Sequence, residues 1–172
     1  HYPLRRQRQM CIRDSRLTRP MIEDAKTLLN LLGTPYVQAP SEAEAQAAHM
    51  AMRGDVWASS SRDLDSLLFG TPKLVRYLTL TGTEFYPSKG TSVRLEPELI
   101  ILDEFLSRHN ITRKQLVDVA ILIGTDFNEG VRGIGPKKSL KLINECSGIE
   151  NLPSTIKTKV TQNYDDIRRI FL

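Results

Sequence analysis

Five carboxylates in three short motifs could do chemistry in this 172-residue chain. They are Glu42 and Glu44 in APSEAEAQ, Asp63 and Asp65 in SSSRDLDSLLFG, and Asp126 in LIGTDF. A glycine–lysine segment, GVRGIGPKKSL, follows the last of them. Clustered acids repel one another unless a cation lies between them. Hard Mg²⁺ or Mn²⁺ takes oxygen ligands and keeps waters that substrate phosphate can replace. Such a basin suits two ions roughly 3.5–4 Å apart, one activating water and the other stabilising the leaving oxygen. Beside a phosphate-gripping loop, this chemistry is phosphodiester hydrolysis. His1, His49 and His109 are scattered and receive no role.

Each acid also has a plainer reading. Ser41 and Glu44 fit a capping box, with Ser41 at the N-cap and Glu44 at N3. Glu42 would gain from the dipole of a first helical turn. Asp63-Leu64-Asp65 is a D-x-D found on many solvated helix starts, and Asp126 fits a turn or cap. The joint pattern is more specific than its parts, because every acid lies at a junction between elements where a fold can gather them.

In the glycine–lysine segment, Arg132, Lys137, Lys138 and Lys141 fall within ten residues that contain no acid. Gly133-Ile134-Gly135 lets backbone amides face outward, and Pro136 suits a first helical position. The helix start adds partial positive charge, so this segment can meet phosphates without reading bases. Its plainer reading is a solvated helix start after a Gly-Pro turn.

Alternating elements must position these groups. The spacing predicts a helix opening at Thr18-Arg19-Pro20, with Met21, Ile22, Ala25, Leu28, Leu29 and Leu32 on one face, stopped by Gly33. A strand Thr34–Ala39, a helix Ser41–Met52 ending near Gly54 and a buried strand Val56–Ser60 follow. Asp63 and Asp65 lie just past that strand's carboxyl end. The βαβ-like order implies an α/β fold with a parallel sheet, whose sites lie outside the carboxyl ends of the strands. Further strands are expected over Lys73–Leu80 and Glu84–Tyr86, joined through Thr81-Gly82-Thr83. A helix from Pro97 to about His109 comes next. Another, capped by Thr112, carries Leu116, Val119, Ala120 and Ile123 inward.

Composition sets broad limits. Apolar content of 40% and charged content of 26% are ordinary for one globular domain. No apolar run approaches the roughly 20 residues that span a bilayer. Cys11 and Cys146 lack metal-ligand spacing and read as reduced thiols of an intracellular protein. The net charge of +4 falls to +1 once residues 1–15, with four arginines and one aspartate, are set aside. Global charge is therefore a weak pointer to nucleic acid. Those residues read as a disordered or foreign leader.

From Leu17 to Leu172 the chain resembles the flap endonuclease family, the structure-specific 5′ nucleases that include the xeroderma pigmentosum group G protein. APSEAEAQAA, SRDLDSLLFG, LIGTDFNEGVRGIGPKKSLKLI and IRRIFL carry the resemblance. It is strongest to archaeal members. It implies a parallel-sheet, PIN-like 5′ nuclease core with a helix–two-turn–helix element over Val117 to Leu142. It also implies that Glu42, Glu44, Asp63, Asp65 and Asp126 are catalytic ligands of two Mg²⁺ ions, with Mn²⁺ able to substitute. Arg132, Gly133, Gly135, Lys137 and Lys138 would grip duplex DNA, and the backbone carbonyls of Val131 and Ile134 would hold a K⁺ ion. The implied reaction is cleavage of a 5′ flap or nick in DNA replication and repair. The implied setting is a monomer, without a membrane, in archaeal cytoplasm or a eukaryotic nucleus.

On this reading, residues 1–15 are a non-family leader and residues 16–126 are the internal nuclease region with the acids. Residues 127–172 form the helical duplex-binding region. The family's amino-terminal part is not matched. It supplies further metal-binding aspartates, a Lys/Arg pair and much of the arch, so this chain alone is expected to cleave poorly. No sliding-clamp motif is present, which leaves that partner to a longer parent. Arg62, Phe127 and Ser139 replace the family's usual Gln/Glu, Tyr and Ala. The alternatives are a sibling 5′ exonuclease or bubble-cutting repair nuclease, and a non-catalytic structure-specific DNA-binding module.

Overall fold

The structure, a computed structural model, describes residues 17–79, 81–86 and 90–172. The expected leader and Cys11 lie outside those residues, as does the end of the expected strand at Leu80. The chain divides after Ala39 into two units. In the first, α1 spans Arg19–Leu31 with Pro20 in its opening turn and none of its residues buried. Gly33 ends it as expected, at φ +66°, a conformation that glycine adopts without strain. Residues 34–39 run on as coil, not the expected strand.

The second unit begins with α2, Ala43–Arg53, which is closed by Gly54 in the left-handed conformation. β1 is only Ser59–Ser60, so most of the expected strand Val56–Ser60 is coil. Trp57 is exposed and lies under the Lys73 ammonium, 4.9 Å from the ring centroid. A one-turn helix, α3, covers Asp65–Leu68. β2 is Lys73–Arg76, β3 is Thr83–Tyr86, β4 is Thr91–Arg94 and β5 is Glu98–Ile101. Five helices complete the unit: α4 Leu102–His109, α5 Arg113–Ile123, α6 Pro136–Cys146, α7 Ser154–Lys157 and α8 Tyr164–Phe171.

The sheet is mixed rather than wholly parallel. Its order is β1-β2-β5, with β1 parallel and β5 antiparallel to β2. β5 occupies residues expected to start the helix at Pro97. The Leu99-Ile100-Ile101 run suits a pleated surface better than a helix, and Ile100 pairs with the fully buried Leu74 of β2. An Arg76–Glu98 ion pair at 3.1 Å closes the far end of that ladder. β3 and β4 form a separate antiparallel hairpin, so Thr81 and Gly82 lead into β3, which Thr83 opens, and do not turn β2 back on it.

The main core gathers around α5. Thr112 caps this helix, and a full capping box with Gln115 fixes its first turn. Of the expected inward residues Val119 is buried and Leu116, Ala120 and Ile123 are half-buried, while Val117, Ile121 and Leu122 are fully buried, because α6, α8 and the turn Ile149–Asn151 surround the helix. A smaller cluster of Leu67, Leu74 and Leu102 seals the sheet against α3 and α4.

Candidate metal centre and duplex-binding loop

The acids lie on three supports. Glu42 and Glu44 stand at the start of α2, Asp63 and Asp65 at the exit from β1, and Asp126 on the turn after α5. Hydrogen bonds hold the first two supports together. As the chain leaves β1, the Ser61 amide donates to the Val75 carbonyl at 3.2 Å, continuing the ladder. The Ser61 hydroxyl donates to Glu44 Oε1 and accepts the Asp63 amide proton at 3.1 Å. Beneath, the buried Ser59 hydroxyl donates to Thr71 Oγ1 at 3.0 Å, and Thr71 in turn donates to the Lys73 carbonyl at 3.0 Å. Both ends of the acid-bearing β1–β2 connection are thus pinned.

The capping box at Ser41 and Glu44, the plainer reading of Glu44, does not form. Glu42, in extended conformation, is the N-cap of α2, and no side chain caps the helix. Glu44 instead turns to Ser61, seventeen residues away. A hydroxyl offered by a neighbouring loop has displaced a local backbone bond, and it ties α2 to the Asp63 loop.

Asp126 sits on a turn closed by the Thr125 and Asn128 backbones, which exchange bonds of 3.0 and 3.3 Å. The Thr125 hydroxyl donates to Asn128 Oδ1 at 2.8 Å, and Asn128 Nδ2 donates to the Ile121 carbonyl at 2.7 Å. The turn is therefore anchored on the last turn of α5. Gly130, at φ +72°, passes so close that a Cβ there would lie 2.2 Å from the Ile123 carbonyl oxygen. The Phe127 ring packs edge-on against Phe171 of α8 at 5.6 Å, and Phe171 packs against Phe69 at 4.9 Å.

Glu42, Asp63 and Asp126 are exposed, and Glu44 and Asp65 are half-buried. Among the described residues, no three His, Cys, Asp or Glu side chains converge closely enough to enclose an ion. The structure brings Glu44 and the Asp63 loop together through Ser61, and Asp126 stands on the turn after α5. The donor chemistry nonetheless fits a hard divalent ion, because all five candidates are carboxylates reached from solvent or half-buried.

Arg62 points away from a role as a free cation. Its guanidinium pairs with Glu84 of β3 at 2.7 Å, and its carbonyl accepts from Arg76 Nε at 3.2 Å. The bonds from Arg62 and from the Tyr86 hydroxyl hold the Glu84 carboxyl below its usual range, and Glu84 holds that phenol above its own.

In the loop before α6, Val131 and Ile134 turn their side chains into the core. The Val131 amide donates to the Leu122 carbonyl at 2.8 Å, and the Ile134 amide donates to the Val131 carbonyl at 3.0 Å. Gly133 lies at φ +81°. Gly135 is the N-cap and Pro136 opens the helix, as expected. Arg132, Lys137 and Lys138 are exposed, with no ion pair among the described residues. Lys141 makes a loose pair with Glu145 at 3.7 Å. Ser139 is fully buried, and its hydroxyl donates to the Pro136 carbonyl at 3.0 Å. A cationic rim therefore surrounds an ordered helix start.

Several residues that hold these supports escaped the sequence reading: Ser61, Asn128, Phe69, Phe171 and Arg113. Only Asn128 carried a local cue, the Thr-x-x-Asn spacing of a side chain that bonds its own turn.

The family model described as XPG I-region matches residues 33–126, more than half of the chain. The chain belongs to the XPG I-region family. That match covers all five acids of the candidate site.

Among XPG-type relatives, flap endonuclease 1 of Pyrococcus horikoshii is 54% identical over 137 residues, covering 79% of this chain and 40% of that protein. Flap endonuclease 1 of Thermofilum pendens is 50% identical over 159 residues, covering 92% and 46%. The solved structure of flap endonuclease-1 from Methanococcus jannaschii superposes with a TM-score of 0.75 at 40% identity, covering 98% of this chain and 50% of that one. The catalytic core of Rad2, solved with DNA substrate, reaches 0.70 at 26% identity, covering 96% and 52%. The α/β fold is that of these nuclease cores. The chain spans about half the length of these relatives or less. Flap endonucleases as a family are generally metal-dependent. Among the described residues, no helix is long and apolar enough to cross a membrane.

Proposed function

We propose that the protein is a structure-specific 5′ flap endonuclease that hydrolyses phosphodiester bonds in DNA replication and repair. The observation that carries this reading is the Glu44–Ser61–Asp63 linkage. It holds acids from two separate elements at one end of β1, the place where an α/β sheet presents its site. Support comes from relatives about half identical to this chain and named for that activity.

Glu42, Glu44, Asp63, Asp65 and Asp126 would hold two Mg²⁺ ions, and Mn²⁺ would substitute. When bound, such ions polarise the scissile phosphate and lower the pKa of an attacking water. Ser61 keeps Glu44 in place by donating to it and fixes the loop that aims Asp63. Arg132, Lys137 and Lys138, with the Gly133 and Gly135 amides, would contact duplex phosphates, a sequence-independent grip that weakens with salt. The Val131 and Ile134 carbonyls would hold K⁺. On this reading, residues 16–126 supply the acids and residues 127–172 supply the grip. The protein acts as a monomer, and a sliding clamp would engage parts of it beyond this chain. An archaeal cytoplasmic enzyme fits the relatives.

The greater similarity to flap endonucleases than to Rad2 favours flap cutting over the repair-type sibling activity. The test joins this chain to the amino-terminal part of the Pyrococcus horikoshii relative and offers labelled flap, nicked and bubble duplexes with Mg²⁺. The expected result is cleavage at the flap junction, lost in the Asp63→Asn, Asp65→Asn double variant. Tight flap binding without cleavage in either protein would demote the acids to caps and leave a binding module.

A further inference from the structure

We infer that Phe171 is a positioning residue for the metal centre, an aromatic seat that holds the Asp126 turn and the Asp65 helix at one spacing. This rests on the metal-nuclease reading above. Phe171 is 4% exposed and touches the neighbours of two acids at once. On one side it packs against Phe69, with ring centroids 4.9 Å apart, and the Phe69 amide donates to the Asp65 carbonyl at 3.1 Å. On the other it meets Phe127 edge-on at 5.6 Å, and Phe127 is bonded to Asp126 by a single peptide link.

Leu68 and Phe69 share one core with Val117, Ile121 and Leu122 of α5, and the three rings extend that core to the Asp126 turn itself. α3 is a single turn, and Asn128 ties the Asp126 turn to its own helix. Arg113 fastens the seat in place. Its Nε donates to the Leu68 carbonyl at 3.2 Å, and its Nη2 donates to the Phe171 carbonyl. The guanidinium packs so closely over Gly70 that a Cβ there would fall 2.7 Å from Cζ. The Arg168–Asp118 pair also locks α8 onto α5.

A hard divalent ion tolerates little error in ligand position, and the two carboxylates come from elements 61 residues apart in sequence. Rings with few rotamers, stacked through a shared partner, transmit position more faithfully than flexible aliphatic chains.

The test is Mn²⁺ binding to this chain, read as the loss of the free-ion electron paramagnetic resonance signal, so activity is not needed. Groups that orient metal ligands typically change affinity tenfold or more when removed. Phe171→Ala is expected to weaken Mn²⁺ binding by about tenfold on that basis. Phe127→Ala, a change at a partly exposed ring, should weaken it similarly, and the double variant should lose little more than either alone. Ile167→Val removes one methyl from the same helix and the same core but leaves all three rings in place. It should lower the thermal midpoint yet leave Mn²⁺ affinity unchanged.

Unchanged affinity in Phe171→Ala, or an equal loss in Ile167→Val, would overturn the positioning role while leaving the metal site standing. Mn²⁺ binding that is absent both from this chain and from the chain joined to the relative's amino-terminal part, or that is insensitive to Asp63→Asn with Asp65→Asn, would overturn the metal reading and this inference with it.

Discussion

Replacing Arg168 by Met should cost this domain about 4 kcal/mol at neutral pH, and the cost should shrink in acid. Arg168 lies 50 residues from Asp118 and donates to its Oδ1 twice, through Nη2 at 2.6 Å and Nε at 2.9 Å. Nη1 reaches Glu150 and Asp165, both at 2.8 Å, and the guanidinium lies 5.3 Å from the Tyr164 ring centroid. The Asp118 side chain is 0% exposed. Met keeps most of the packed stem but leaves Asp118 with one long bond, from the Ile149 amide at 3.4 Å. Breaking a buried pair from one side typically costs about 3–5 kcal/mol. Glu150 and Asp165, 42% and 62% exposed, lose a partner that solvent largely replaces, worth under about 1 kcal/mol each.

The pH dependence follows from burial. Burial pushes the Asp118 carboxyl up, against the bonds from Arg168, and without Arg168 that push acts almost alone. Burial opposes the charge on Arg168 too, but the bonds to Glu150 and Asp118 outweigh it and hold the guanidinium protonated. A carboxyl whose folded pKa is raised contributes most below its unfolded value of about 3.9, and the contribution is lost as pH rises through the folded pKa. The Arg168→Met deficit should therefore be larger at pH 8 than at pH 5. Pairing it with Asp118→Leu should recover most of the loss, since an apolar pair of similar volume often replaces a buried ion pair at little cost. Urea unfolding followed by circular dichroism at both pH values measures all four proteins. A loss under about 1 kcal/mol, or one equal at the two pH values, would refute the account of a desolvated and otherwise unpaired Asp118.

Partial burial alone would raise the Glu150 carboxyl, yet its own turn's amide, Arg168 and Lys114 hold it down at about 2. Stability from this group should be present above pH 4.5 and lost between there and pH 2, and Glu150→Gln should flatten acid unfolding in that window. Gly130→Ala should cost at least about 2 kcal/mol and loosen the Asp126 turn, since its Cβ has no space and its φ is left-handed; amide exchange across residues 124–131 checks this. Thr112→Ala should remove about 1 kcal/mol in thermal unfolding through loss of the capping box. Lys137→Ala with Lys138→Ala should weaken duplex binding evenly across sequences. It should also reduce the salt slope by about 2, read by fluorescence anisotropy at several salt concentrations.

Local features were readable from the chain alone. Thr112 and Gln115 make a capping box within one turn, and Gly33 and Gly54 end their helices because only neighbouring backbone decides those conformations. Gly135-Pro136 opens α6 for the same reason. The five acids could be singled out because their residue types and junction positions are themselves sequence properties, and the family match over residues 33–126 contains them.

Features that depend on partners far along the chain could not be read. Residues 98–101 form a strand because β2 offers them an antiparallel edge. Glu44 makes no cap because Ser61 arrives from another element and bonds its carboxylate. Arg62 pairs with Glu84 of a hairpin whose second strand, Thr91–Arg94, carries no burial alternation to reveal it. The Phe69–Phe171–Phe127 contacts and the Arg168–Asp118 pair join residues between 44 and 102 positions apart. Sequence determined which groups could bind metal and phosphate and where the local turns fall, because those depend on side-chain chemistry and a few adjacent dihedrals. Tertiary structure alone decided which supports meet, because long-range packing selects among partners that no local pattern distinguishes.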